Sequence, residues 1–371
     1  MLGKINEIVL FITVFLFFLF TIFLLTRTEN KTTNRLLAAF LLAKLICIIN
    51  ILLYFFYNYF FSHFPNLFYI LWPFLFVYIP LLYLYTRSIV YPEIKITVAD
   101  LKYFAVFVIA VLFFSIRFYF LDANAKRLLL EDSNFHQQIG YLFLILYYPQ
   151  SFFFLVASLV MLYRYRQRIR QYYSSLEKIN LSWLSIVLWS FIIMYSIALL
   201  DDLSRFTGIK ISLLELLLNC SFLVFPSILI FKGLSLSSEP TKINLEEKTK
   251  PVGLDDTLLT AYTNRLQHYM QHEKPYLYST ITLQDLADKL SVPPRNLSYL
   301  LNNYIKQNFF DYINSYRIEE AKQIMQKHNR PKTILEVLYS VGFNSKSVFN
   351  TAFKKNTGMT PSEFIKYLEK A

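Results

Sequence analysis

The chain has 371 residues, of which 55% are hydrophobic, 18% aromatic and only 17% charged, with 37 Phe and 28 Tyr. A soluble domain has about a quarter charged residues, so a soluble protein of this composition could not cover its own surface. Lys and Arg outnumber Asp and Glu by 12, which fits a membrane protein with a basic cytoplasmic side, a nucleic-acid-binding part, or both. The seven glycines are scattered singly, and Cys47 and Cys220 lie inside apolar runs. A phosphate-cradling loop, a disulfide framework and a zinc site are thereby disfavoured, so no enzyme, cofactor or metal is expected.

Up to residue 234 the sequence is a succession of apolar runs close to the roughly 20 residues needed to cross hydrocarbon. Seven spans are expected, at 5–25, 36–57, 66–86, 103–121, 140–163, 182–200 and 211–231. The first has one preceding lysine and no small-residue cleavage site, which reads as a span rather than a removed signal peptide. In lipid every backbone group must be satisfied within its own segment, so each run is expected to be helical. Pro73, Pro80, Pro149 and Pro226 fall inside these runs; each should kink its helix or be met by a polar group from a neighbour.

Basic residues in the short loops give the orientation. The first, third and fifth loops hold eleven Lys and Arg, five of them between Arg164 and Lys178, whereas the second, fourth and sixth hold four. The odd loops are therefore expected in the cytoplasm, with the amino terminus outside and the carboxy terminus inside a bacterial cytoplasmic membrane. The Arg164–Arg170 run reads as a topology-setting loop that also meets anionic headgroups.

Charged groups within spans are costly unless paired or solvated. Arg117 and Glu215 each fall about one turn below the outer surface, so they are expected to pair or to hold a small ligand of unspecified chemistry in an outward-facing pocket; snorkelling to the interface is the alternative. Lys44 sits deeper, about nine residues into the second span, and Asp201-Asp202 reads as a solvated outer loop.

Residues 235–254 are polar and lack a helical stripe, which marks a linker. Residues 255–274 then form an amphipathic juxtamembrane helix with Leu259, Tyr262, Leu266 and Tyr269 in register. Two heptads are too few to call a coiled coil. The stripe fits packing on the following domain, with a homodimer stalk as the alternative. His268 and His272 have no third ligand nearby and read as a surface pair.

The remainder, 275–371, predicts two helix-turn-helix units joined by a long helix. Thr282 and Asp285 open a helix through Leu290 in capping-box fashion, Ser291–Pro293 turn, and Pro294 starts the next helix to about Tyr304. That helix buries Leu297, Leu300 and Leu301 and carries Arg295, Ser298, Tyr299 and Asn302 at i, i+3, i+4 and i+7. Such a stripe on a second helix suits the base edges of a major groove. The connecting helix spans Phe309 to about Lys327. The second unit runs from Thr333–Val341 through a Gly342-Phe343 turn into a helix from Ser345 to about Asn356. Gly342 stands where a left-handed residue is wanted. Over 279–371 there are thirteen basic and eight acidic residues.

The blocks LQDLADKLSVPPRNLSYLLNN, NFFDYINSYRIEEAKQIM and VGFNSKSVFNTAFKKNTGMTPSEF closely resemble the DNA-binding domain of AraC/XylS-type transcription regulators. The resemblance covers about a quarter of the chain and implies a seven-helix domain that places its two units in successive major grooves of double-stranded DNA. Carried over position by position, it assigns base or groove contact to Arg295, Ser298, Tyr299 and Asn302 in the first unit. In the second it assigns Lys346, Ser347, Asn350 and Thr351, with Lys354 and Lys355 near phosphates. There are departures: Pro293 replaces a Ser or Thr cap, Leu338 replaces a small residue, and Thr351 replaces a frequent arginine.

Together these readings predict an all-α protein, with a seven-helix transmembrane bundle followed by an all-α domain with two helix-turn-helix units. The function expected is a one-component receptor that binds promoter DNA. Two rivals are a transporter or channel with a DNA-binding regulatory tail, and a membrane-held precursor that releases its tail by proteolysis.

Overall fold

The computed structural model describes residues 2–28, 30–93, 95–177, 179–206, 217, 220, 227, 228, 231, 255–327 and 333–370. The described residues are mostly helical, and their only β pairing is an isolated antiparallel bridge between Tyr173 and Thr282. Two compact units divide the chain: Met1–Leu162 with Ser182–Lys242, and Tyr163–Leu181 with Ile243–Ala371.

The first unit contains α1 (Leu2–Thr26), α2 (Lys31–Phe55), α3 (Tyr57–His63), α4 (Tyr78–Val90), α5 (Ala105–Phe114), α6 (Ala123–Glu131), α7 (Ser133–Leu142), α8 (Tyr148–Ile169, up to Leu162) and α9 (Ser182–Phe206). Among the described residues six helical stretches are long and apolar enough to cross a membrane: Glu7–Thr26, Lys31–Tyr54, Pro65–Val90, Val98–Tyr119, Ser133–Ile169 and Ser182–Ser204. These stretches correspond to the first six of the seven expected spans. Of the expected seventh span only residues 217, 220, 227, 228 and 231 are described, and the 235–254 linker lies wholly outside the described residues.

The third and fifth stretches depart from simple helices near prolines. The third stretch is a short 3-10 turn at Pro65–Leu67, another at Trp72–Phe76 containing Pro73, and then α4. Pro80 is the third residue of α4, within the first turn, where a missing N–H costs little. The carbonyl it would have used four residues back, Phe76 O, instead accepts from Gln150 Nε2 at 3.0 Å. Pro149 follows a π turn at Phe143–Tyr147 that leads into α8. The fourth span also ends in a π turn, Ser115–Tyr119.

The polar segment 122–139, read as a loop, instead holds α6 and α7. The side chain of Asp122 accepts from Asn124 N and Ala125 N, and that of Asp132 accepts from Asn134 N. These caps satisfy the first N–H groups of two short helices.

At the centre of the unit the Tyr78 and Tyr147 hydroxyls are 2.6 Å apart, Tyr147 donates to Tyr195 at 3.2 Å, and Tyr78 also meets Tyr195. Lys44 is buried, its Nζ 4.3 Å from the Tyr78 ring centroid. Tyr148 donates to Asp202. Outward, α1 exposes Phe11, Phe15, Phe18 and Ile22, and α9 exposes Ile186, Trp189 and Ile193.

The second unit contains the end of α8, the following segment to Leu181 and, among the described residues, seven α-helices: α10 (Asp256–His272), α11 (Leu283–Leu290), α12 (Pro294–Tyr299), α13 (Phe309–Lys327), α14 (Ile334–Ser340), α15 (Lys346–Thr357) and α16 (Pro361–Lys370). It has two cores. One gathers Leu259, Leu266 and Met270 of α10 with Leu283, Leu286, Leu297, Leu300 and Leu301; the other gathers Val337, Leu338, Phe349, Phe353 and Phe364. The long helix α13 serves both, giving Tyr312 and Ile313 to the first and Ile318 and Ala321 to the second. The α10 stripe, including Tyr262 and Tyr269, thus packs on its own domain.

Candidate nucleic-acid interface

Both units are built from short helices with defined starts and stops. Thr282 and Asp285 make a reciprocal capping box at α11, and Thr333 and Glu336 make the matching one at α14; each pair satisfies two donors that a helix start leaves open. After α11 the chain turns on Ser291 at φ 52°, and Val292 N returns to Ala287 O at 3.0 Å. Pro293 occupies the cap position of α12 with no side-chain cap bond, as its chemistry requires.

In the second unit Gly342 has φ 89°. A Cβ there would lie 2.6 Å from Leu277 O and 2.8 Å from Tyr276 O, so the position needs glycine for its backbone and for space. Ser345 caps α15, and Gly358 at φ 78° ends it.

The first stripe holds together on one face. Arg295, Ser298, Tyr299 and Asn302 are all half-buried, and Tyr299 leans on the first core. The helix expected to run from Pro294 to Tyr304 changes character at Leu300, where a π turn covers Leu300–Ile305. The Asn302 amide donates back to Ser298 O at 2.8 Å. In the second stripe Lys346, Ser347 and Thr351 are exposed and Asn350 is half-buried; Thr351 Oγ1 donates to Ser347 O at 2.9 Å. Leu338 is fully buried in the second core. Lys354 and Lys355 are exposed, but Lys355 Nζ is 2.9 Å from Asp311 on α13.

Arg117 donates to Gln138 Oε1 at 3.0 Å, while Glu215 lies outside the described residues. The His268 and His272 rings lie tilted against one another, their centroids 4.3 Å apart.

One residue central to the domain was not singled out from sequence. Arg317 of α13 is 1% exposed, and its Nε donates to Tyr276 O at 2.6 Å and its Nη2 to Tyr278 O at 2.8 Å. Its guanidinium lies 5.4 Å from the Phe343 ring centroid, and burial pushes its pKa down to about 10, so it stays charged at neutral pH. The clue was its place among apolar neighbours, four residues after Ile313 and four before Ala321.

Comparison with known proteins agrees with this geometry. A family described as "Helix-turn-helix domain" matches residues 286–367. An uncharacterized HTH-type transcriptional regulator of Pseudoalteromonas carrageenovora is 28% identical over 130 residues, covering 34% of this chain and 74% of that protein. The arabinose operon regulatory protein of Escherichia coli K12 is 28% identical over 131 residues, 34% of this chain and 44% of that protein. The carboxy-terminal segment is an AraC-type helix-turn-helix domain. A solved structure, the C-terminal domain of AraT, a response regulator from Geobacillus stearothermophilus, matches at 26% identity with a TM-score of 0.25, covering 29% of this chain and 84% of that one. The chain thus spans less than half the length of the Escherichia coli relative, and the resemblance is confined to the carboxy-terminal third. An AraC-type domain implies DNA binding.

Proposed function

We propose that the protein is a membrane-embedded one-component regulator, whose apolar helices sit in the cytoplasmic membrane and whose AraC-type domain reads promoter DNA from the inner face. The observation that carries this reading is the joining, in one chain, of six helical stretches able to span a bilayer to a domain with two capped helix-turn-helix units. Large apolar side chains on the outside of the first unit support it: Phe15 is 61% exposed and Ile186 65%. Such continuous apolar surface marks a membrane or an interface rather than a water-facing wall. The excess of basic residues in the odd loops favours a cytoplasmic DNA reader.

In this reading Arg295, Ser298, Tyr299 and Asn302 face one groove, and Lys346, Ser347, Asn350 and Thr351 the next. Lys354 carries the phosphate contact with less competition than Lys355, whose ammonium already meets Asp311. The bundle receives the signal, and Arg117 near the outer surface is a candidate contact for a small ligand.

The test is genome-wide footprinting of the full-length protein in its membrane, with Arg295→Ala as control. Discrete protected sites that fade in the variant support the reading. A footprint unchanged by Arg295→Ala removes α12 as the first reading helix, and recovery of the chain in the soluble fraction removes the membrane role.

A further inference from the structure

The segment that follows α8 does more than turn the chain toward α9. Residues 163–181 cluster with the DNA-binding unit, and the contacts are specific. Leu283 N donates to Tyr172 O at 2.9 Å and Ser174 N to Ile281 O at 3.3 Å, flanking the Tyr173–Thr282 bridge. Ser174 Oγ also donates to Ile281 O at 2.6 Å, and Phe310 N donates to Arg170 O at 2.9 Å. The Tyr172 ring packs against the first core, and the Arg170 guanidinium lies 5.8 Å from the Phe310 ring centroid. Ser174 is 2% exposed, and its carbonyl and hydroxyl both accept from Arg317 at 3.4 Å.

Two of these bonds have a particular character. Leu283 is the first residue of α11 and Phe310 the second of α13. N–H groups at those positions have no acceptor within their own helix. Here the loop carbonyls supply it. The loop is also braced from within: Tyr165 Oη donates to Ile179 O and Arg166 Nε to Asn180 O, each at 2.9 Å. Its sequence neighbours are α8 and α9, the last two of the six apolar stretches.

We propose that the segment 163–181, the last turns of α8 and the loop after it, is a docking arm that grips the first helix-turn-helix unit. It gives the bundle a second, non-covalent hold on the DNA reader beside the covalent connection through 235–254. A displacement of α8 relative to α9 then reaches α11 and α13 directly through the loop. This rests on the reading that α8 and α9 cross the membrane, and the experiment separates the two.

A specific protease site is introduced into the 235–254 stretch of the full-length protein in membrane vesicles, and the chain is cut and washed in high salt to remove lipid-bound basic fragments. The reader should stay with the vesicles in the parent and be released by Tyr172→Asp. Equal release from both overturns the proposal. Tyr173 and Thr282 form a non-hydrogen-bonded antiparallel pair, whose Cα atoms lie about 4.5 Å apart, within disulfide range. Tyr173→Cys with Thr282→Cys, with Cys47 and Cys220 replaced by Ala, should therefore cross-link on oxidation and hold the cut fragment until reduced; no cross-link overturns the proposal. The Leu283 and Phe310 amides should exchange about tenfold slower in the parent than in Tyr172→Asp, with exchange in α14 and α15 unchanged to show that the domain remains folded. An uncut chain found in the soluble fraction would overturn the membrane reading alone, since the cross-link still reports docking.

Discussion

The two left-handed glycines allow strain and space to be separated. Gly342→Ala and Gly358→Ala place the same methyl at similar backbone angles, φ 89° and 78°. For an L-residue either angle costs about 1–2 kcal/mol. Around Gly358 nothing lies within 4 Å of the added carbon, so the backbone term stands alone. At Gly342 the carbon meets Leu277 O at 2.6 Å and Tyr276 O at 2.8 Å. Tyr276 O is held by Arg317 Nε, so the segment cannot simply retreat. Overpacking of this kind adds about 1–3 kcal/mol. Gly342→Ala should therefore exceed Gly358→Ala by that amount, which is about 5-fold to 150-fold in the opening equilibrium. Hydrogen exchange of α14 and α15 amides in the full-length protein reads the difference. Effects equal within about twofold, or roughly 0.4 kcal/mol, would refute the claim that the turn is wedged against residues 276–277.

Arg295→Ala should weaken binding to a footprinted site by about 1–3 kcal/mol and relax its base preference at one position, measured by titration at fixed salt. Lys354→Ala should lower the slope of log K against log salt by about 1, whereas Lys355→Ala should lower it less, because Asp311 already holds that ammonium; equal slopes would remove the distinction. Arg317→Met should destabilise the domain by about 2–6 kcal/mol, since it strips the Tyr276 and Tyr278 carbonyls of their donors at about 1–3 kcal/mol each; unchanged α13 exchange would show that the guanidinium is dispensable. Glu363 accepts from Thr360 N at 2.7 Å, and the bonds from Thr360 hold its carboxyl below the usual glutamate value. Its ionised form is therefore the stabilising one: the contribution is complete above the unfolded pKa of about 4.5 and is lost as pH falls through the lower folded value. Amide protection in α16, corrected for the intrinsic exchange rate, should fall on acidification in the parent and lose that pH dependence in Glu363→Gln.

What could be read from sequence was what depends on near neighbours. The capping residues Thr282 and Asp285, the left-handed Gly342 and the inward Leu297, Leu300 and Leu301 follow from spacing alone. The apolar runs likewise declared themselves through length. Less legible were α6 and α7, whose polar sequences depend on Asp122 and Asp132 caps and so resemble a loop. The π turn at Leu300 was invisible because i+4 and i+5 bonding share the same apolar residues. The seat of residues 170–174 on residues 281–310 joins positions more than a hundred apart, and no local pattern marks it.

Residues 276–278 explain why these features belong together. Tyr276 packs in the first core and Leu277 against both. The Tyr276 and Tyr278 carbonyls take the Arg317 guanidinium, while the Tyr276 and Leu277 carbonyls form the wall that only a glycine at 342 tolerates. Ser174 of the loop reaches the same guanidinium from another side. A buried charge without a carboxylate partner is expensive unless its donors are met. Here they are met by the backbone of residues 276–278, by Asn314 Oδ1 and by the loop. The relation between the two helix-turn-helix units is thus fixed at one polar knot to which the loop also contributes, so drawing Ser174 away alters the footing of both units rather than loosening a distant tether.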